Sequence, residues 1–447
     1  MRGCTRALGY GPEEVFGMVV IVGAGLAGLS AARFLKRPYR IFEKENEPGG
    51  LSRSIEKDGF IFDYAGHWFH ARQDWVKEFL AESLGDNWSL HRRDARVFSH
   101  GALIPYPFQM NLGALPNEVA LECMMGLIEA KYQMPRRPIR TFEDYILRSM
   151  GKGIARHFMI PYNRKLWNMH PRSMTTDWMG RFVPEPDVEH ALRSILDPSS
   201  PVEAGYNAGF AYPKEGGIGA VPRALAAQVQ GIECGTEVRR IEAGKRRATL
   251  ADGHTVDYQA MISSMPLKEL VRITADAPPS VKAAGRLLNW SALVVLNVGV
   301  TDVRLPLHWC YVAEDPPAFF RVGCYSNACP TLVPTRGDGT GSLYIEYSYP
   351  KRIPEDTPEI DAEAAVEWLK GTGMLGPSAK ICTAVRLHID YAYVVYDKNR
   401  KAAVATIKRY MRRHGIHTIG RYGSWEYSSM EDAMEQGRAT AELLNSQ

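Results

Sequence analysis

The apolar run Val19-Val20-Ile21-Val22 breaks into Gly23-Ala24-Gly25-Leu26-Ala27-Gly28, a join that suits a buried parallel strand turning into a helix around a dinucleotide. The three glycines serve different ends. Gly23 makes the tight turn, Gly25 lets the backbone approach a pyrophosphate closely, and Gly28 brings helix and strand into contact. The pattern predicts a helix over 26–36, whose N-terminus offers free N–H groups and a positive dipole end to phosphates. A second strand, Tyr39 to Phe42, ends at Glu43, whose carboxylate is placed to accept from a ribose hydroxyl. A purely structural βαβ turn is the alternative. Against it, strand, glycines, helix, second strand and acid all fall in register.

The segment that follows, Glu47-Pro48-Gly49-Gly50-Leu51-Ser52-Arg53, resembles the one after the second strand in FAD proteins of the amine oxidase and protoporphyrinogen oxidase superfamily. There a Gly-Gly pair lets the backbone pass close to the cofactor. The resemblance implies FAD as cofactor, held by Gly23, Gly25, Gly28, Glu43, Gly49, Gly50, Ser52, Val238 and Gly423.

The chain has 447 residues, too many for one core, and its 45% hydrophobic and 23% charged content is that of a globular protein. A net charge of +4 gives no reason to invoke nucleic acid, and no apolar run approaches the roughly 20 residues of a membrane span. Seven scattered cysteines lack zinc-site spacing, so no metal is expected, and reduced thiols in a cytoplasmic protein are the simplest account. Residues 1–17 read as a disordered leader without an apolar signal core.

The remaining chain reads as an α/β fold: a Rossmann-like FAD-binding domain with an inserted helical domain and an antiparallel β-sheet substrate domain. The FAD-binding parts are expected at 18–107, 214–290 and 401–447, the helical domain at 108–185, a flap or linker at 186–213, and the sheet at 291–400. Thr141-Phe142-Glu143-Asp144 forms a capping-box-like helix start, and Phe142, Tyr145, Ile146 and Met150 are spaced for one apolar face. Prolines 184, 186, 198 and 201 mark a loop-rich return. A last helix, 430–444, can aim its N-terminus at the flavin end of the cofactor.

Four further segments carry a narrower resemblance: Ile104-Pro105-Tyr106-Pro107-Phe108-Gln109-Met110-Asn111, the stretch from Phe158 to Trp167, Phe319-Phe320-Arg321 with Tyr325-Ser326-Asn327, and Gly420-Arg421-Tyr422-Gly423-Ser424-Trp425-Glu426-Tyr427. Together they resemble the UDP-galactopyranose mutase family, particularly its eukaryotic-type branch, from Val19 to about Leu444. The resemblance implies a pyranose–furanose isomerisation of a UDP-sugar, in which N5 of reduced FAD attacks the anomeric carbon, and NAD(P)H is a candidate reductant using the same cleft. It assigns a uridine pocket to Tyr106, Phe108, Gln109, Phe158, Asn163 and Trp167. Arg321 and Arg421 match its diphosphate clamp, and Tyr311, Tyr393 and Tyr427 match tyrosines reaching sugar or phosphate. Asn207 matches a flap residue, Arg93 and Trp309 are further matches, and His67 falls on a loop beside the flavin as a candidate for moving protons. Four positions depart from the pattern. Ala328 stands for a tyrosine, Glu431 and Asp432 replace amides facing the sugar, and Phe182 stands for an arginine beside Arg181. The rival readings are an FAD-dependent oxidase or desaturase, which has no use for two clamping arginines, and a non-catalytic sugar-nucleotide-binding relative. A homo-oligomer is compatible with either enzyme.

Overall fold

The computed structural model describes residues 18–133, 138–202, 208–353 and 360–447. The expected leader at 1–17 and Asn207 lie outside them.

The strand Val19–Val22 is wholly buried and lies at the centre of a five-stranded sheet. Its neighbours, Tyr39–Phe42 and Ala260–Ser263, and the outer strands Ile232–Glu233 and Ile416–Thr418 all run parallel. Continuous burial of Val and Ile is what a parallel sheet covered on both faces requires. The helix Leu26–Phe34 packs on one face and stops two residues early, where Leu35 turns extended ahead of Pro38. The last helix, Met430–Asn445, lies against it so closely that a Cβ on Gly437 would come within 2.3 Å of the Ala27 carbonyl oxygen. Ser30 Oγ also donates to the Met434 carbonyl at 2.6 Å.

The second layer is a seven-stranded sheet, in the order Ile381–Val394, Trp290–Val300, Gly341–Pro350, Arg321–Cys324, Trp309–Val312, Ala95–Ser99 and Ala102–Pro105. Its one parallel pairing joins Trp309–Val312 to Ala95–Ser99. The last two strands therefore belong to the sheet expected at 291–400 and not to the FAD-binding part drawn at 18–107. The reason is non-local: Arg96 pairs with Pro105 across a hairpin, and the hairpin then docks on Tyr311 and its neighbours.

Helices Asn117–Tyr132 and Phe142–Ile154 form the insertion. The expected capping box is present: Thr141 Oγ1 accepts from Asp144 N at 3.1 Å, and Asp144 Oδ2 accepts from Thr141 N at 2.9 Å. Phe142, Ile146 and Met150 are buried as their spacing implies. The loop-rich return contains an unforeseen helix, Val188–Leu196, started by Asp187, whose side chain accepts from His190 N at 2.8 Å. The prolines around it bound the helix; they do not prevent it. Among the described residues no helix is long and apolar enough to cross a membrane.

Asp63 links these layers. Its carboxylate accepts from Ser54 Oγ at 2.6 Å, Tyr212 Oη at 2.6 Å and Ile218 N at 3.1 Å, with no exposure to solvent. Asp63→Ala strands two buried donors, on Tyr212 and Ile218, at about 1–3 kcal/mol each, so equilibrium unfolding should show a loss of about 2 kcal/mol or more. Burial raises the Asp63 carboxyl to about 7, against the opposing pull of its three hydrogen bonds and Arg223. Between pH 3.8 and about 7 the folded protein then holds a proton that the unfolded chain has lost. This group's stabilising contribution is complete below that window and falls as pH rises through it. Asp63→Asn should flatten the slope; an unchanged slope assigns it to other groups.

Candidate active site

The C-terminal edge of the parallel sheet forms a cradle with little room in it. Gly23 has φ of +99°, and a Cβ there would meet Ser264 Oγ at 2.3 Å. A Cβ on Gly28 would lie 1.9 Å from the Gly23 carbonyl oxygen. Gly25 bridges to Gly49, Gly49 N donates to the Ala24 carbonyl at 2.8 Å, and a Cβ on Gly50 would stand 3.3 Å from the Gly25 Cα. The two glycine segments thus touch along one line. Glu43 is buried beneath them. Its Oε2 accepts from Ala24 N at 2.7 Å and its Oε1 from Glu45 N at 3.0 Å, leaving further lone pairs for a hydroxyl.

Ser52 is buried in the same turn, its N–H on the Gly49 carbonyl at 3.1 Å. Val238 opens a strand of the small antiparallel sheet, which is tied to Glu43 through Thr236 N at 2.8 Å. Gly423 presses on the end of Ala260–Ser263, where a Cβ would reach 2.7 Å from the Ser263 carbonyl oxygen. The glycine turns, Glu43, Ser52 and Gly423 thus gather at the C-terminal edge of the parallel sheet, with Val238 in the adjoining three-stranded sheet, and an edge of this kind at a strand-order switch suits an extended dinucleotide.

From this cradle a cleft opens toward the seven-stranded sheet, enclosing about 880 Å³ of space partly continuous with solvent. His67, Tyr311, Arg321, Tyr393, Arg421 and Tyr427 all line it. Arg421 donates through Nε to the Ser428 carbonyl at 3.0 Å and lies 5.2 Å from the Tyr427 ring centre. No carboxylate among the described residues pairs with it. Arg321 does have one: Glu346, held through Nε at 2.5 Å and Nη2 at 2.7 Å. Burial raises the phenols of Tyr311 and Tyr393, so both remain hydrogen-bond donors at neutral pH.

Burial, and then the guanidiniums of Arg421 and Arg321, push the His67 imidazole down to about 3. Its Nδ1 is buried without a partner among the described residues. Burial and two neighbouring guanidiniums thus both disfavour the charged imidazole.

The expected uridine set forms the wall behind the cleft. Tyr106 and Tyr162 lie 5.4 and 5.2 Å from Tyr311, ring centre to ring centre. Trp167 is 5.7 Å from both Tyr393 and Tyr427. Phe108 stacks on Phe158 at 4.9 Å. Asn163 Nδ2 donates to the Met159 carbonyl at 2.7 Å and its Oδ1 accepts from Trp167 Nε1 at 3.1 Å, which fixes the amide and leaves it one further N–H and one further lone pair. Gln109 Nε2 donates to the Pro184 carbonyl at 2.7 Å. The Arg93 guanidinium lies 4.8 Å over the Tyr106 ring, and Trp309, a cleft residue, stacks on Trp68 at 5.8 Å.

The departing acids do not face the cleft. Glu431 is 1% exposed and accepts from Arg72 N at 2.5 Å, Arg72 Nε at 2.7 Å and Gln73 N at 2.7 Å. Asp432 caps its helix through Ser429 and binds Arg72 at 2.8 Å and Arg181. Phe182 meets Tyr427 edge-on at 4.6 Å, and Ala328 is buried. Sequence reasoning missed Glu346, Tyr162 and Trp68. A single acid inside Leu343-Tyr344-Ile345-Glu346-Tyr347 was the available signal, because a carboxylate in a buried strand requires a partner.

A family model described as flavin containing amine oxidoreductase matches residues 26–445. The chain belongs to that family. Its flavin suits the cradle above, where added Cβ atoms would fill the approach to the phosphate turn. Over 95% of its length this family member is similar to a crystal structure of reduced UDP-galactopyranose mutase, covering 93% of that chain with a TM-score of 0.88 at 26% identity. A probable UDP-galactopyranose mutase of Klebsiella pneumoniae is 27% identical over 173 residues, 36% of this chain and 44% of that protein. Coproporphyrinogen III oxidase of Staphylococcus aureus is 29% identical over 134 residues, 27% of this chain and 28% of that protein. The chain thus spans less than half the length of these curated relatives.

Proposed function

We propose that this flavoprotein is a pyranose–furanose mutase acting on a UDP-sugar, UDP-galactopyranose or a related nucleoside-diphosphate hexose, with FAD as its flavin. The observation that carries this reading is the convergence of Arg321 and Arg421 with three tyrosines on one cleft beside the flavin cradle. An amine or a hydrocarbon gives such a cleft nothing to do with two guanidiniums; a diphosphate uses both. The chemistry that bound, reduced flavin supplies is a nucleophilic nitrogen for the anomeric carbon.

The chain's own residues do the rest. Arg321 and Arg421 hold the diphosphate oxygens as the glycosidic bond breaks, and keep the leaving group close enough that its return is effectively intramolecular. The phenols of Tyr311, Tyr393 and Tyr427 donate to oxygens of sugar or phosphate. His67, on the loop that lines the cleft, is the candidate for moving protons. Trp68 and Trp309 wall the cleft against water. The motifs at Ile104–Asn111 and Gly420–Tyr427 resemble the eukaryotic-type branch; NAD(P)H using the same cleft is the candidate reductant, and the scattered cysteines suit a reducing, cytoplasmic setting.

Binding tests the reading before turnover does. UDP added to the holoprotein should perturb the flavin absorbance, with a dissociation constant that rises with ionic strength. A flavin spectrum unmoved by millimolar UDP, but moved by an apolar or amine substrate, would replace the mutase with the oxidase reading.

A further inference from the structure

The mutase reading uses Arg321 but leaves unexplained the acid that holds it. Glu346 lies directly opposite Arg321 in the antiparallel pairing of Arg321–Cys324 with Gly341–Pro350, and its side chain is fully buried. Its carboxylate takes two of the guanidinium's five N–H groups in a parallel fork. Its Oε1 also lies 3.4 Å from the backbone N–H of Gly66, the residue before His67. One carboxylate therefore touches both the cation of the cleft and the loop that carries His67.

The surroundings leave the guanidinium little freedom. The Tyr344 ring lies 5.7 Å from its carbon, and Tyr344 is itself pinned between two glycines. A Cβ on Gly66 would come within 2.5 Å of the Tyr344 hydroxyl, and one on Gly323 within 2.3 Å of its ring. Nη1 has no acceptor among the described residues. With the Nε and Nη2 edge taken by Glu346, the Nη1 side is what remains for a ligand in the cleft.

We propose that Glu346 is a positioning residue, aiming the free edge of Arg321 at the diphosphate and tempering its charge so that the leaving group is held and also released. This rests on the reading of the cleft as a diphosphate site. Glu346→Gln keeps the volume but turns one arm of the fork into a donor facing a donor, so the guanidinium must rotate away. Glu346→Asp keeps the charge but withdraws the fork by one methylene.

The test compares holoprotein of the wild type and both variants by flavin content, UDP affinity and the rate constant for UDP-galactose interconversion. Glu346→Gln is expected to retain flavin, to bind UDP as tightly as wild type or more so, and to lose at least about tenfold in kcat. Glu346→Asp should fall between the two. Two results overturn the assignment: kcat within about twofold of wild type in both variants, or UDP affinity and flavin content lost together, as a merely structural acid would give. A wild-type protein that binds no UDP and turns over no UDP-hexose overturns the functional reading itself, before any variant is compared.

Discussion

Arg321→Ala is expected to cut turnover severely and to destabilise the protein at once. The catalytic loss follows from removing one preorganised cation from the charge that develops on the departing diphosphate, worth roughly 10²–10³ in kcat. The stability loss follows from what remains behind. Glu346 is fully buried, and stripping one partner from a buried ion pair costs about 3–5 kcal/mol, because the survivor keeps its charge without compensation. A poorly folded variant would make the loss of activity uninformative, so the companion matters. Arg321→Met with Glu346→Leu removes both charges and should recover most of the stability while staying inactive. Denaturation midpoints and rates on the two variants check this. If Arg321→Ala alone is as stable as wild type, the pair does not hold its strand in the way the bidentate geometry implies.

Gly28→Val is expected to give a colourless protein. An added Cβ would sit 1.9 Å from the Gly23 carbonyl oxygen, a backbone atom that cannot swing aside as a side-chain tip can. The helix Leu26–Phe34 must then shift from the strand that precedes it, and its N-terminal N–H groups leave the turn that faces the phosphates. A shift costing only about 1.4 kcal/mol in binding lowers flavin affinity tenfold, and a clash with backbone should cost more. The flavin-to-protein ratio after purification, with far-ultraviolet circular dichroism to establish that the fold persists, reads the effect. Full flavin occupancy would mean that the packing role assigned to Gly28 is wrong.

What could be read from the chain is what depends on local pattern. The buried strand, the glycine turn, the capping box at Thr141 and the helix from Met430 are each encoded within a few residues, and each is found at or near its expected bounds. The functional residues of the cleft were legible as types, since arginines and aromatic residues stand out beside apolar strands. Their partners were not. Glu346 meets Arg321, 25 residues away, only because their two strands pair in one register. Glu431 and Asp432 turn away from the cleft because Arg72 and Arg181, distant in sequence, reach them first. Nothing in the sequence shows that Asn163 also ties the Met159 carbonyl to the Trp167 indole. The two guanidiniums that, with burial, lower the His67 imidazole come from a strand and a helix far along the chain. Glu346 is invisible as a partner and the others are visible without theirs, since pairing is a property of tertiary contact.

The most direct measurement uses the holoprotein reduced with dithionite under exclusion of oxygen. UDP-galactopyranose and UDP-galactofuranose are added in separate reactions, and both forms are followed by chromatography, with oxygen uptake recorded in a parallel aerobic reaction. The expected result is approach to one common mixture from either side, with no net oxidation of the sugar and no turnover once the flavin is oxidised. Absence of interconversion for UDP-galactose and related UDP-hexoses, together with a substrate oxidised mole for mole with oxygen consumed, would contradict the mutase assignment.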